Sequence, residues 1–156
     1  MKSKKSPFQY PEESLLPLFY KFIYRYECLG IKNLTDKQIK DAVAKNSLQN
    51  FEIALNTIKK TGKSMSPRDN KEIISLFNEY QKGKQPKGEF FFEKPTKKAT
   101  LWNSILYHLR NSLAHAEFKD VGEYYRILDY DGTRLSAFGF VSKSVLLQLL
   151  KSFVEE

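Results

Sequence analysis

The chain has two histidines, His108 and His115, and both fall in one stretch, residues 100–118, beside Arg110 and Asn111. An imidazole titrates near neutral pH and can take or give a proton there. A guanidinium holds phosphate or carboxylate oxygens in a two-pronged fork and stabilises charge that develops in a transition state. No other part of the sequence gathers side chains of this kind so closely.

Three chemistries use such groups. His115-Ala116-Glu117 matches the His-x-Glu half of a zinc deaminase signature, but that site needs a Pro-Cys-x-x-Cys, and Cys28 is the single cysteine. Two imidazoles seven residues apart, with no carboxylate at ligand spacing, make a thin metal site, so no metal or other cofactor is expected. A nucleophilic triad lacks its Gly-x-Ser-x-Gly elbow, and Cys28 has no placed base. Gly62-Lys63-Ser64 lacks the upstream glycine of a phosphate loop and follows a helix rather than a strand. The third chemistry is acid–base work on an RNA phosphodiester. RNA carries its own nucleophile, the 2′-hydroxyl, so the protein need supply only a base, an acid and a clamp for the phosphate. One chain offers one Arg110–His115 pair, and two chains meeting at this helix end would offer two. Against this stands a plain alternative: Arg and His near a helix C-terminus complement its dipole without further role. His108 reads as structural or as support for the site.

The elements that position these groups are helical. Leu101, Ile105, Leu109 and Leu113 recur every four residues, with Trp102 and Leu106 widening the stripe, which predicts a helix over 96–114 ending in the polar cluster. Leu15, Leu16, Phe19, Phe22, Ile23 and Tyr26 form a second stripe, with Pro17 in its first turn and Gly30 ending it. Its aromatics, Tyr20 and Tyr24 among them, read as core and interface before they read as a stacking platform for bases. Thr35 with Gln38 is a capping-box pattern, opening a helical face that reaches Lys60 with a weak middle at Lys45-Asn46-Ser47. Thr61-Gly62-Lys63 stops it. Ser66-Pro67 looks like the next helix start, and Gly83, Pro86 and Gly88 break that helix into a loop over 81–97. Within the loop, Glu89–Glu93 reads as a short strand or an apolar latch. Residues 123–129 and 133–141 flank Asp131-Gly132, a hairpin signal. Ser142 then caps a final helix. The expected architecture is all-α: a bundle of four to five helices with a small β-hairpin before the last, preceded by a basic tail at 1–11 and forming one domain over 12–156.

The net charge is +8, so a polyanionic partner suits the chain. Residues 1–100 hold 20 Lys and Arg against 11 Asp and Glu, and 101–156 hold 6 against 7. The surplus sits at 59–63, 82–87 and 94–98, so lysines there, Lys94, Lys97 and Lys98 in particular, are the expected RNA contacts. No apolar run is long enough for a membrane span, no apolar core follows the basic first residues as in a signal peptide, and one cysteine suits a reducing compartment. A cytoplasmic protein without membrane contact is expected.

Arg110-Asn111-Ser112-Leu113-Ala114-His115 resembles the Arg-x(4)-His motif of the HEPN family in its Arg-Asn-x-x-x-His form. The specific likeness covers about residues 105–118, and the general layout covers most of the chain. The resemblance implies a helical domain that forms a homodimer through the motif helix. It further implies metal-independent endoribonuclease activity of the toxin–antitoxin and phage-defence kind, with an antitoxin or regulatory protein as a possible partner. Arg110 and His115 would then be catalytic, with Asn111 orienting substrate or His115. Some members of the family are non-catalytic dimerisation or binding modules. Members paired with nucleotidyltransferase antitoxins often carry tyrosine two residues after the histidine, where this chain has Glu117, so regulation through that tyrosine is not expected.

Overall fold

The computed structural model describes residues 15–155, so the expected tail at 1–11 and the first three residues of the domain expected over 12–156 lie outside the described residues. The helices are α1 (Leu16–Leu29), α2 (Asp36–Ala42), α3 (Leu48–Thr61), α4 (Lys71–Gln81), α5 (Leu101–Ala114) and α6 (Lys143–Val154). The strands are β1 (Gly62–Met65), β2 (Glu89–Glu93), β3 (Phe118–Val121), β4 (Tyr124–Asp131) and β5 (Arg134–Ser142). The all-α expectation is therefore wrong. The chain is α/β, with one mixed sheet in the order β1-β2-β5-β4-β3.

The expected hairpin is present as β4 and β5, and its composition explains why it is not small. Leu135 through Val141 are buried without a break, so β5 needs cover on both faces and a partner on each edge. Beside it β2 runs antiparallel, pairing Phe91 with Phe138 and Phe92 with Ala137. A Cβ on Gly139 would sit 2.2 Å from the Glu89 carbonyl oxygen, so only glycine permits β2 to lie this close. β1 adds a parallel edge to β2, and β3 an antiparallel edge to β4. The stretch expected only to end a helix thus begins a strand, and within the loop expected over 81–97 the Glu89–Glu93 stretch takes the strand of its two expected readings.

Two apolar layers sandwich the sheet. One face carries Phe90, Phe92, Ile127, Ala137 and Val141, packed against apolar residues of α1, α2, α3, α5 and α6. The other carries Leu128, Leu135, Phe138 and Phe140, covered by Ile73, Leu76, Phe77 and Tyr80 of α4. Helix α4 begins at Lys71 and not at Ser66-Pro67, because 66–70 forms a turn in which Arg68 takes φ +68°. The capping box at Thr35 and Gln38 forms as expected, and the weak middle after Val43 separates α2 from α3. Ser142 stands at the N-cap position of α6, but its hydroxyl meets Ser144 and makes no cap bond.

Candidate active site

Helix α5 runs through the larger core, and most of its residues are buried. It starts at Leu101, later than the expected 96, because the Thr100 hydroxyl accepts from Asn103 N at 3.1 Å and fixes the N-cap. Asn103 also donates to the carbonyls of Ile31 at 2.7 Å and Lys32 at 3.1 Å, tying the helix to the turn after α1. At the other end, Glu117 N reaches back to Ser112 O at 2.9 Å while Ala116 takes φ +58°. This is a six-to-one closure with alanine in the place glycine usually holds. It leaves His115 as the exposed C-cap residue.

The two histidines have opposite surroundings. His108 is 1% exposed. Its Nδ1 lies 2.8 Å from Asp129 Oδ2, and its Nε2 lies 2.5 Å from the Glu93 carbonyl oxygen. A carbonyl oxygen only accepts, so Nε2 carries a proton and donates to it. Nδ1 faces the Asp129 carboxylate. Asn111 donates to the same Asp129 oxygen at 3.1 Å, and Arg110 donates to Asn111 Oδ1 at 3.0 Å. The Glu93 carboxylate, itself buried, accepts from the Arg134 guanidinium at 3.1 Å on each oxygen, and Arg134 also reaches Asp131 at 2.8 Å. A continuous polar chain therefore joins α5 to β2, β4 and β5 beneath the motif.

Asp129 stands at the edge of a bulge. Asp129 pairs with Ala137 and Tyr130 with Leu135, so Ser136 has no opposite residue, and its hydroxyl donates to Asp129 O at 3.0 Å. Tyr125 and Ile127 lie four and two residues before Asp129 and pack into the larger core. Asp129 continues that phase of the strand, so its carboxylate lands against α5. A bulge beside a polar cluster is a common way to aim one side chain.

A mostly polar cleft of about 290 Å³ opens here. Its lining includes His115, Asn111, His108, Asp129, Tyr107 and Lys94. The structure thus brings together three of the residues singled out from sequence: Asn111, His115 and Lys94. Arg110 is not on this lining. Its Nε is 2.7 Å from Glu27 Oε1, an ion pair whose N–H is not aligned on the oxygen, and both side chains are partly exposed. Tyr26, buried beside this pair without a hydroxyl partner, has its phenol pushed well above its ordinary range. Burial is the main cause, Tyr107 and Glu27 add to it, and Arg110 opposes it.

The basic segments divide in the same way. Lys98 lines a second cleft with Lys32, and that cleft shares Pro95 with the first. Lys32 Nζ stands 5.7 Å from the centroid of Tyr107, on the rim between the two. Lys97 is exposed on the same connection and lines neither cleft. Lys63 instead pairs with Glu72, and Lys84 with Glu79 and Glu89. The segments 59–63 and 82–87 supply no residue to either cleft.

Sequence reasoning did not pick out Asp129, Glu93, Arg134 or Tyr107. For Asp129 a signal exists: it is the polar member of the apolar alternation Tyr125, Ile127, Asp129. For Glu93 and Arg134 none does, since their pairing depends on β2 lying beside β5. Among the described residues, no three His, Cys, Asp or Glu side chains stand together as a metal-ligand set. No family model, curated protein or solved structure matches the chain.

Proposed function

We propose that this chain is an endoribonuclease that cleaves single-stranded RNA by internal 2′-hydroxyl attack. The observation that carries this reading is the placement of His115. It is an exposed imidazole on a cleft that Lys94 borders, with Lys98 and Lys32 on the adjoining cleft. An acid–base group beside a cationic track is what a phosphodiester substrate requires. In the reaction, a base removes the 2′-hydroxyl proton, O2′ bonds to phosphorus, and the P–O5′ bond breaks. The departing O5′ takes a proton, leaving a 2′,3′-cyclic phosphate and a 5′-hydroxyl. His115 performs one of the two proton transfers, Arg110 swings from Glu27 to hold the non-bridging oxygens, and Asn111 orients the site.

His108 does not provide the other transfer, because both its ring nitrogens are engaged in the core. The second imidazole therefore comes from another copy of the chain, in a homodimer. On α5 the open strip is narrow, formed by Tyr107, Arg110, Leu113 and Ala114, and ends at His115. Two copies meeting there set two His115 and two Arg110 about one substrate groove.

A second reading is a non-catalytic partner-binding module. The occupied Glu27–Arg110 pair favours it, as do Tyr20 and Tyr24, 66% and 72% exposed on the helix that carries Glu27. The deciding experiment is cleavage of a mixed RNA by purified protein in excess EDTA, beside His115→Ala and Arg110→Ala, with all three sized in solution. Cutting by the wild type alone, with the variants intact dimers, supports the nuclease; the expected loss is about 10²–10⁴-fold for the imidazole. No cutting, or equal cutting by all three, leaves the partner module.

A further inference from the structure

The floor of the His115 cleft contains a feature that RNA cleavage does not use. Asp129 is 2% exposed, and its Oδ2 accepts from His108 and Asn111. Its Oδ1 is buried and has no hydrogen-bond partner. The neighbouring polar groups are committed: both His108 nitrogens, both ends of the Asn111 amide, and the Ser136 hydroxyl. Of the buried side-chain atoms on this cleft, Asp129 Oδ1 is the one left without a partner. A buried carboxylate oxygen without a donor is costly, and a ligand that supplies one donor recovers that cost. The cleft, at about 290 Å³, is at the small end of the range for small-molecule sites, about 300–1,000 Å³. Half-buried Tyr107 on its lining offers a ring to stack against.

We infer that this cleft is a nucleobase pocket that selects bases carrying an exocyclic amino group, with Asp129 Oδ1 as the acceptor and Tyr107 as the stacking wall. Single-stranded RNA is read in this manner, by splayed bases stacked on aromatic rings and hydrogen-bonded along their edges. The single free oxygen matters. A guanine offering two adjacent donors to both carboxylate oxygens finds Oδ2 already taken, whereas cytosine N4 needs one acceptor only. A base on Tyr107 displaces exposed Lys32 from that ring, and the lysine then meets the adjoining phosphate. The inference rests on the RNA reading, and its test separates the two.

The test is binding of 2′-fluoro oligocytidine and oligouridine of equal length. These lack the 2′-hydroxyl, so they bind without being cut. Dissociation constants are measured at one fixed salt concentration for the wild type, Asp129→Asn and Tyr107→Leu. The wild type is expected to bind the cytidine oligomer about 10-fold more tightly, the scale of one base-edge contact. Asp129→Asn keeps shape while turning the free acceptor into an amide donor, so the order inverts in favour of uridine, whose O4 accepts. Tyr107→Leu weakens both oligomers about 10-fold and leaves their order unchanged. Equal binding of the two oligomers by the wild type overturns the pocket, as does an unchanged order in a folded Asp129→Asn. Should Asp129→Asn not fold, the wild-type ratio and the Tyr107→Leu series decide. Cleavage without base preference would remove the pocket and leave the nuclease, and selective binding by a protein that cuts no RNA would do the reverse.

Discussion

His108 and His115 are the same side chain, two turns apart on one helix, and the fold puts them to opposite uses. At His108 the face of α5 turned to the sheet is fully buried, and there the imidazole becomes a strut between strands. Its nitrogens hold a carboxylate from β4 and a carbonyl from the end of β2. At the helix end the backbone turns away through Ala116, and the second imidazole stands in solvent with no ring contact among the described residues. The difference teaches that chemical potential in a side chain is set by whether its hydrogen-bonding capacity has already been consumed.

That contrast can be broken by mutation. Replacing His108 with Ala leaves Asp129 and the Glu93 carbonyl buried without their shared partner. A loss of about 3–5 kcal/mol is expected in urea unfolding, as for a broken buried pair. His115→Ala is expected to stay within about 0.5 kcal/mol of the wild type in the same assay, as exposed positions do. Equal losses at the two positions would remove the distinction. Asn111→Ala strips one donor from Asp129 and the acceptor from Arg110, and should cost about 1–3 kcal/mol. Thr100→Ala, at the opposite end of the helix, deletes the N-cap acceptor and should cost about 1 kcal/mol by the same measurement. The smallest effect has the opposite sign. Ala116→Gly relieves the left-handed backbone that exposes His115 and should stabilise by about 0.5–1 kcal/mol. A destabilising outcome there would mean that the alanine methyl packs in a way the backbone angle does not reveal.

The sequence made the long, strongly periodic parts readable and hid the short ones. Helix α5, the Asp131-Gly132 hairpin and α6 have enough residues for their spacing to declare itself. β1 and β3 have four residues each, too few for an alternation, and the lysine and glycine in β1 point away from a strand. Missing those strands turned a sheet-centred chain into a bundle. At the site, the sequence located Arg110, Asn111 and His115 as neighbours, and it also placed His108 in support. Asp129 was legible only as the polar member of an apolar alternation, and its meeting with His108 depends on the stacking of α5 on β4. Lysine positions were legible as charge but not as geometry: Lys94 borders the site, whereas Lys84 is spent on acids of α4 and β2.

The order of strands has a consequence for how the molecule is born. The sheet's middle strand, β5, is its last in sequence, and β2 waits for it across the whole of α5 and the β3–β4 segment. As a ribosome releases the chain from its N-terminus, β1 and β2 emerge with Phe90, Phe91 and Phe92 and no centre to join. Such an unpaired apolar edge is prone to aggregate until its partner arrives. Synthesis halted near Gly132 should therefore give insoluble product, and the segment from β5 onward acts as the closing step for the strands made before it.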